Sequence, residues 1–169
     1  MRELALSYLN GKKEAGRRAP RKPRPAYLLS DKLMTVYETP RPKLSDPGRV
    51  YKHLEDLKDE NREVMVVICV TAQNRGILRE IIHIGLVDQC NVSSRELLKP
   101  AILNSASGII IAHNHPGGNP SPSEADITTT KMIESACTLF NIRLLDHVIF
   151  AHDAYFSMQA AGFISEDKS

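Results

Sequence analysis

The chain has 169 residues, 42% of them hydrophobic, which is room for one domain of ordinary size plus an extension. No apolar stretch is long enough to cross a bilayer, and Leu4–Leu9 is too short for a signal-peptide core, so the expectation is a soluble, cytoplasmic protein with no membrane partner. The net charge of +2 is uneven: residues 1–45 carry 11 Lys/Arg and 4 Asp/Glu, while residues 46–169 carry 11 and 16. Cys69, Cys90 and Cys137 are odd in number and form no C-x-x-C pair, which argues against disulfides and a thiolate metal site and for small core side chains.

In chain order, residues 1–10 have the apolar spacing for one or two helical turns. Lys12–Pro25 combines basic charge, Pro and Gly with almost nothing to bury, and reads as part of a largely disordered basic arm over residues 1–45. Pro40, Pro42 and Pro47 break up residues 26–48, and the folded domain is expected over 46–169, starting near Ser45. Arg49–Leu57 reads as a helix with Val50, Leu54 and Leu57 on one face.

Val64–Val70 is a continuous β-branched run, the pattern of a strand buried on both faces. Gln73–Gly76 turns the chain into a second, antiparallel strand over Ile77–Ile84, and a short third strand is expected over Leu86–Cys90. Ser93 or Ser94 caps a helix reaching about Ala106, in which Pro100 predicts a kink or break. A buried strand over Gly108–Ala112 follows, then a Gly/Pro loop over 116–122. Ser123-Glu-Ala-Asp126 has capping-box spacing and opens a helix over 124–140. Its expected inner face is Ile127, Met132, Ile133, Ala136 and Leu139/Phe140, and Asn141 ends it. Strands over Arg143–Phe150 and Ala154–Met158 complete an α/β domain with a mixed central sheet flanked by helices.

The chemistry concentrates after the 108–112 strand. His113 and His115 are two residues apart, so an extended backbone points both to one side and Asn114 to the other. Asp126 supplies a carboxylate from the start of the next helix, where the helix dipole favours the ionised form. Two nitrogens and one oxygen suit zinc, and three protein ligands leave a fourth position for water. Gly117-Gly118 does not make a phosphate loop, because no Lys-Ser/Thr follows; H-E-x-x-H and P-C-x-x-C are also absent.

His113-Asn-His-Pro, Pro122-Ser-Glu-Ala-Asp126 and Leu145-Asp-His147 closely resemble the RadC-like branch of the JAMM/MPN metalloprotease superfamily, over roughly residues 48–165. The resemblance implies a single MPN/JAB-like, cytidine-deaminase-like domain and a Zn2+ cofactor held by His113, His115 and Asp126. It also implies a general-base Glu at the entry of the first core strand, where Glu63 fits better than Glu60. That Glu would take a proton from the attacking water and deliver it to the leaving amine. Ser123 would hydrogen-bond the oxyanion. Asp146 and His147 are candidates for orienting the site from behind, with His147 read mainly as a core residue.

The implied activity is zinc-dependent hydrolysis of a peptide or isopeptide bond in a protein or peptide substrate. The alternative is a DNA-associated protein, since members of this branch are traditionally labelled DNA repair proteins and the basic arm can neutralise phosphates. A metal-free scaffold is a third option, disfavoured because every ligand position is filled. Relatives often have Ser where this chain has Gly117, and His-Pro-Arg-Glu where it has Ser93-Ser-Arg-Glu96; these departures concern the substrate groove. Periodicity assigns no oligomeric state.

Overall fold

The computed structural model describes residues 26–27, 33–85 and 92–165. The expected N-terminal helical turns, most of the basic arm and the expected strand over 86–90 lie outside the described residues. Strand β1 is Ala26–Tyr27 and β2 is Leu33–Val36; helix α1 is Pro47–His53; β3 is Glu63–Val70 and β4 Gly76–Gly85. Helix α2 is Ser94–Leu103, β5 is Gly108–Asn114, α3 is Glu124–Leu139, β6 is Arg143–Phe150 and β7 is Tyr155–Ser157.

The seven strands form one sheet in the order β1-β2-β4-β3-β5-β6-β7. Every neighbouring pair is antiparallel except β5 and β6, which run parallel and are joined by α3 as a crossover. The mixed α/β sheet with flanking helices is the architecture the sequence predicts.

β3 and β5 are central and buried along their whole length, which is why both read as unbroken apolar runs. Each buried Val or Ile side chain contributes about 1.5–3 kcal/mol relative to exposure. Alternation divides them between two cores. Met65, Val67, Cys69, Ile109 and Ile111 pack with Leu97, Leu98 and Ala101 of α2 and Ile133 and Cys137 of α3. Val64, Val66, Ile68, Val70, Ile110 and Ala112 pack with Val50 and Leu54 on the α1 side. Among the described residues, no helix is long and apolar enough to cross a membrane.

Four expectations need correction. Sheet residues begin well before Ser45: β2 pairs with β4, and Tyr37 and Leu44 are buried in the α1-side core. Local prolines hid this, because the pairing is with residues 78–80, far along the chain. Helix α1 begins at Pro47, capped by Asp46, and gives way to turns after His53. Helix α2 runs unbroken through Pro100, whose ring is buried, and stops one turn later. The inner stripe of α3 is Thr130, Ile133 and Cys137, while Met132, Leu139 and Phe140 are 44%, 82% and 56% exposed. Apolar character misled the helix phase; a spacing of three and four residues carries the buried set.

Candidate metal centre

Strand β5 extends two residues past the expected run, so His113 and Asn114 are themselves sheet residues. His113 pairs with Met65 of β3 on one side and Ile149 of β6 on the other. Period-two alternation puts Glu63 and Met65 of β3, Ile111 and His113 of β5, and His147 of β6 on the face covered by α3. Ser123 and Asp126 reach the same place from the first turn of α3.

The four expected polar groups converge there. His113, fully buried, has its Nε2 3.0 Å from His115 Nε2. Asp126 Oδ1 lies 3.1 Å from His113 Nε2, and its Oδ2 lies 3.7 Å from His115 Nε2. Glu63 Oε1 is 3.7 Å from His113 Nε2. Among the described residues, Glu63, His113 and His115 form a three-donor set, with one atom of each within 4.8 Å of the others. The sequence reading takes Asp126 as the third ligand and Glu63 as the base; both carboxylates border the site, and Asp126 makes the closer approach to His113.

The surroundings of the two carboxyls differ. Burial pushes Glu63 above the usual carboxylate range, against the opposing influence of His113 and His115. Burial also acts to raise Asp126, but contacts from His113 and Ser123 outweigh it and hold the carboxyl well below its usual range. Ser123 completes the capping box: its Oγ accepts from Asp126 N–H, while its own N–H and hydroxyl donate to Asp126 Oδ2 at 2.8 and 2.7 Å. The single hydroxyl proton therefore points at Asp126.

Three observations show that these residues fit a divalent cation. His115 Nδ1 faces the Asn119 carbonyl at 2.8 Å. A carbonyl only accepts, so this ring carries its proton on Nδ1 and turns an Nε2 lone pair into the site. Among the described residues, Glu63 Oε2 is buried without a hydrogen-bond partner. The 3.0 Å between the two Nε2 atoms is near the spacing of two nitrogens sharing a tetrahedral zinc, about 3.3 Å for bonds of about 2.0 Å.

Asp146 and His147 separate. His147 is fully buried, and its Nε2 lies 2.8 Å from His113 Nδ1. Burial and the neighbouring His113 drive its pKa well below the usual imidazole value, so it is neutral. Among the described residues, Asp146 orients no imidazole ring. Its carboxylate accepts from His147 N–H, Ser157 Oγ and Gln159 N–H, tying β6 to the turn after β7. Adjacent strand residues face opposite ways, so Asp146 and His147 cannot serve one site through their side chains.

Sequence reasoning missed two residues. Asn114, between the histidines, faces the α1 side: its Oδ1 accepts from Val64 N–H at 2.7 Å, and its Nδ2 donates to the carbonyls of Glu60 and Arg62. It clamps the segment that presents Glu63. Thr130 lies beneath His147, with Oγ1 2.6 Å from its Nδ1. The available signal was a polar residue at a position that periodicity marks as buried.

Residues 44–163 match the family model described as the RadC-like JAB domain. The chain is 43% identical over 108 residues to a UPF0758 protein of Actinobacillus pleuropneumoniae serotype 5b, covering 64% of this chain and 49% of the relative. It is 32% identical over 139 residues to a UPF0758 protein of Methanosarcina barkeri, covering 82% and 61%. For a UPF0758 protein of Aquifex aeolicus the identity is 37% over 121 residues, covering 72% and 52%. The chain thus spans about half to three-fifths of the length of these curated relatives.

Proposed function

Because this chain belongs to the RadC-like JAB domain family, we propose that it is a zinc-dependent metallohydrolase that cuts peptide or isopeptide bonds in a protein or peptide substrate. The observation that carries this reading is the convergence of two imidazole Nε2 atoms and two carboxylates on one partly buried point. His113, His115 and Asp126 would hold the zinc. When bound, zinc supplies Lewis acidity, lowering the pKa of water and polarising a carbonyl.

The remaining work falls to the protein. Glu63 takes the proton from the attacking water and passes it to the leaving amine. Its raised pKa suits a group that must hold a proton between those two steps, whereas the depressed pKa of Asp126 suits a ligand. Ser123 stabilises the developing oxyanion, which requires its hydroxyl to turn away from Asp126 Oδ2.

Elemental analysis of the purified protein is expected to find about one zinc per chain. Glu63→Gln should retain the metal and lower hydrolysis of a peptide and isopeptide substrate library by about 10²–10⁴-fold. His113→Ala should lose the metal; unchanged zinc content in that variant refutes the reading.

Charge favours a second reading. Residues 1–45 carry a net +7, enough to engage several backbone phosphates, which supports a DNA-associated role with hydrolysis secondary or lost. DNA affinity of the whole chain and of residues 26–169, compared across salt concentrations, tests it. Equal, salt-insensitive binding removes the arm from the function.

A further inference from the structure

Resting on the zinc reading above, the geometry points to His147 and Thr130 as positioning residues that hold His113 in the tautomer able to bind a metal through Nε2. Thr130 is fully buried on α3, one turn after Asp126. Its Oγ1 lies 2.6 Å from the Asp126 backbone carbonyl and 2.6 Å from His147 Nδ1.

The hydroxyl has one proton, and the carbonyl can only accept, so that proton lies between Thr130 and Asp126. A Thr130 lone pair then faces His147 Nδ1 and must be met by an N–H. The two nitrogens of the fully buried His147 ring meet Thr130 Oγ1 and His113 Nδ1 and no carboxylate that would hold a second ring proton, so with the N–H directed at Thr130 the Nε2 turns a lone pair to His113 Nδ1, 2.8 Å away. A proton is thereby placed on His113 Nδ1, which leaves Nε2, the nitrogen facing His115 Nε2 and Asp126 Oδ1, as the one able to take a metal.

Running the chain of protons the other way places a hydrogen on His113 Nε2, where a metal would be ligated. It also leaves the Thr130 and Asp126 oxygens 2.6 Å apart with no proton between them, forfeiting a buried hydrogen bond. The favoured direction links β5, β6 and α3 and ends on the backbone of Asp126. Neither Thr130 nor His147 needs to touch substrate, so both act only through His113.

Long-range 1H–15N spectra of the full chain, labelled in histidine and recorded without and with zinc, read the tautomers directly. Protons on Nδ1 of both His113 and His147, before and after zinc addition, are the expected result. A His113 Nδ1 that carries no proton overturns the inference. Thr130→Val keeps the shape and removes the hydroxyl; it should lose the single His147 tautomer and weaken zinc binding by about 10–100-fold. Thr130→Ser should restore both.

A valine variant with wild-type tautomers and zinc affinity overturns the inference as well. Should that variant not fold, the wild-type spectrum and the serine variant still decide. Nδ1–H on His113 in a protein that takes up no zinc supports this proton arrangement while sinking the hydrolase reading. Zinc uptake by a protein whose His113 Nδ1 carries no proton does the reverse.

Discussion

Asn114 shows how much one side chain can fix. Its amide holds Val64 N–H and two carbonyls on the face away from the histidines, and so sets where Glu63 enters the sheet. Asn114→Ala orphans a buried N–H and should cost about 1–3 kcal/mol in chemical denaturation. Hydrolysis should fall further than the lost stability explains, with zinc still bound, because the base moves while the ligands stay.

Tyr37 supplies a pH prediction. Its hydroxyl is buried with no hydrogen-bond partner among the described residues, and burial, opposed by Arg79, pushes its pKa from 10.0 up to about 12. Between those values the folded chain keeps a proton that the unfolded chain releases, so stability is expected to fall as pH rises from about 10 to about 12. Tyr37→Phe should flatten that decline. At neutral pH it should leave stability equal, or higher by up to about 1 kcal/mol, in the same denaturation series.

At this scale the sequence shows what is local. His113, His115, Ser123 and Asp126 sit within 14 residues and announce themselves by spacing. The contacts of Asn114 with Val64 and of His147 with His113 span 50 and 34 residues, and no periodicity encodes them.

At the level of elements, β3 and β4 were legible because a β-branched run is followed by a turn and a second apolar run. The phase of α3 was not, since Met132, Leu139 and Phe140 are apolar yet exposed, while Thr130 is polar yet buried for its bond to His147. The end of α3 was legible for a backbone reason: Asn141 has φ 53°, a left-handed conformation that Asn tolerates better than most residues. Asn141→Gly should be neutral or slightly stabilising. Asn141→Val should lower stability by about 1–2 kcal/mol, measured by thermal melting.

For the whole molecule, the least legible part was where the domain begins. Residues 37–44 run alongside the β3–β4 turn, with Tyr37 N–H bonded to Ile77 O, Leu44 N–H to Asn74 O, and Gly76 N–H to Pro42 O. Three prolines in the neighbourhood suggested a linker, whereas the segment is held by contacts with a distant turn. A chain starting at Ser45 loses Tyr37 and Leu44 from the core and uncovers the edge of β4. It should be less stable by about 3–6 kcal/mol than one starting at Ala26, and it should scatter light on heating. Equal melting temperatures would show that the segment is dispensable.

The two-faced burial of β5 has a consequence for changes of length as opposed to changes of identity. Ile109, Ile111 and His113 look toward α2 and α3, and Ile110, Ala112 and Asn114 look toward α1. Because both faces accept aliphatic side chains, deleting one residue between Ile109 and Ala112 would still yield a plausible sheet. In that sheet the imidazoles would turn toward α1 and the amide would occupy the metal site. Single-codon deletions in this strand should therefore abolish zinc binding while preserving much of the fold, whereas insertions within residues 116–122 leave the facing of His113 untouched.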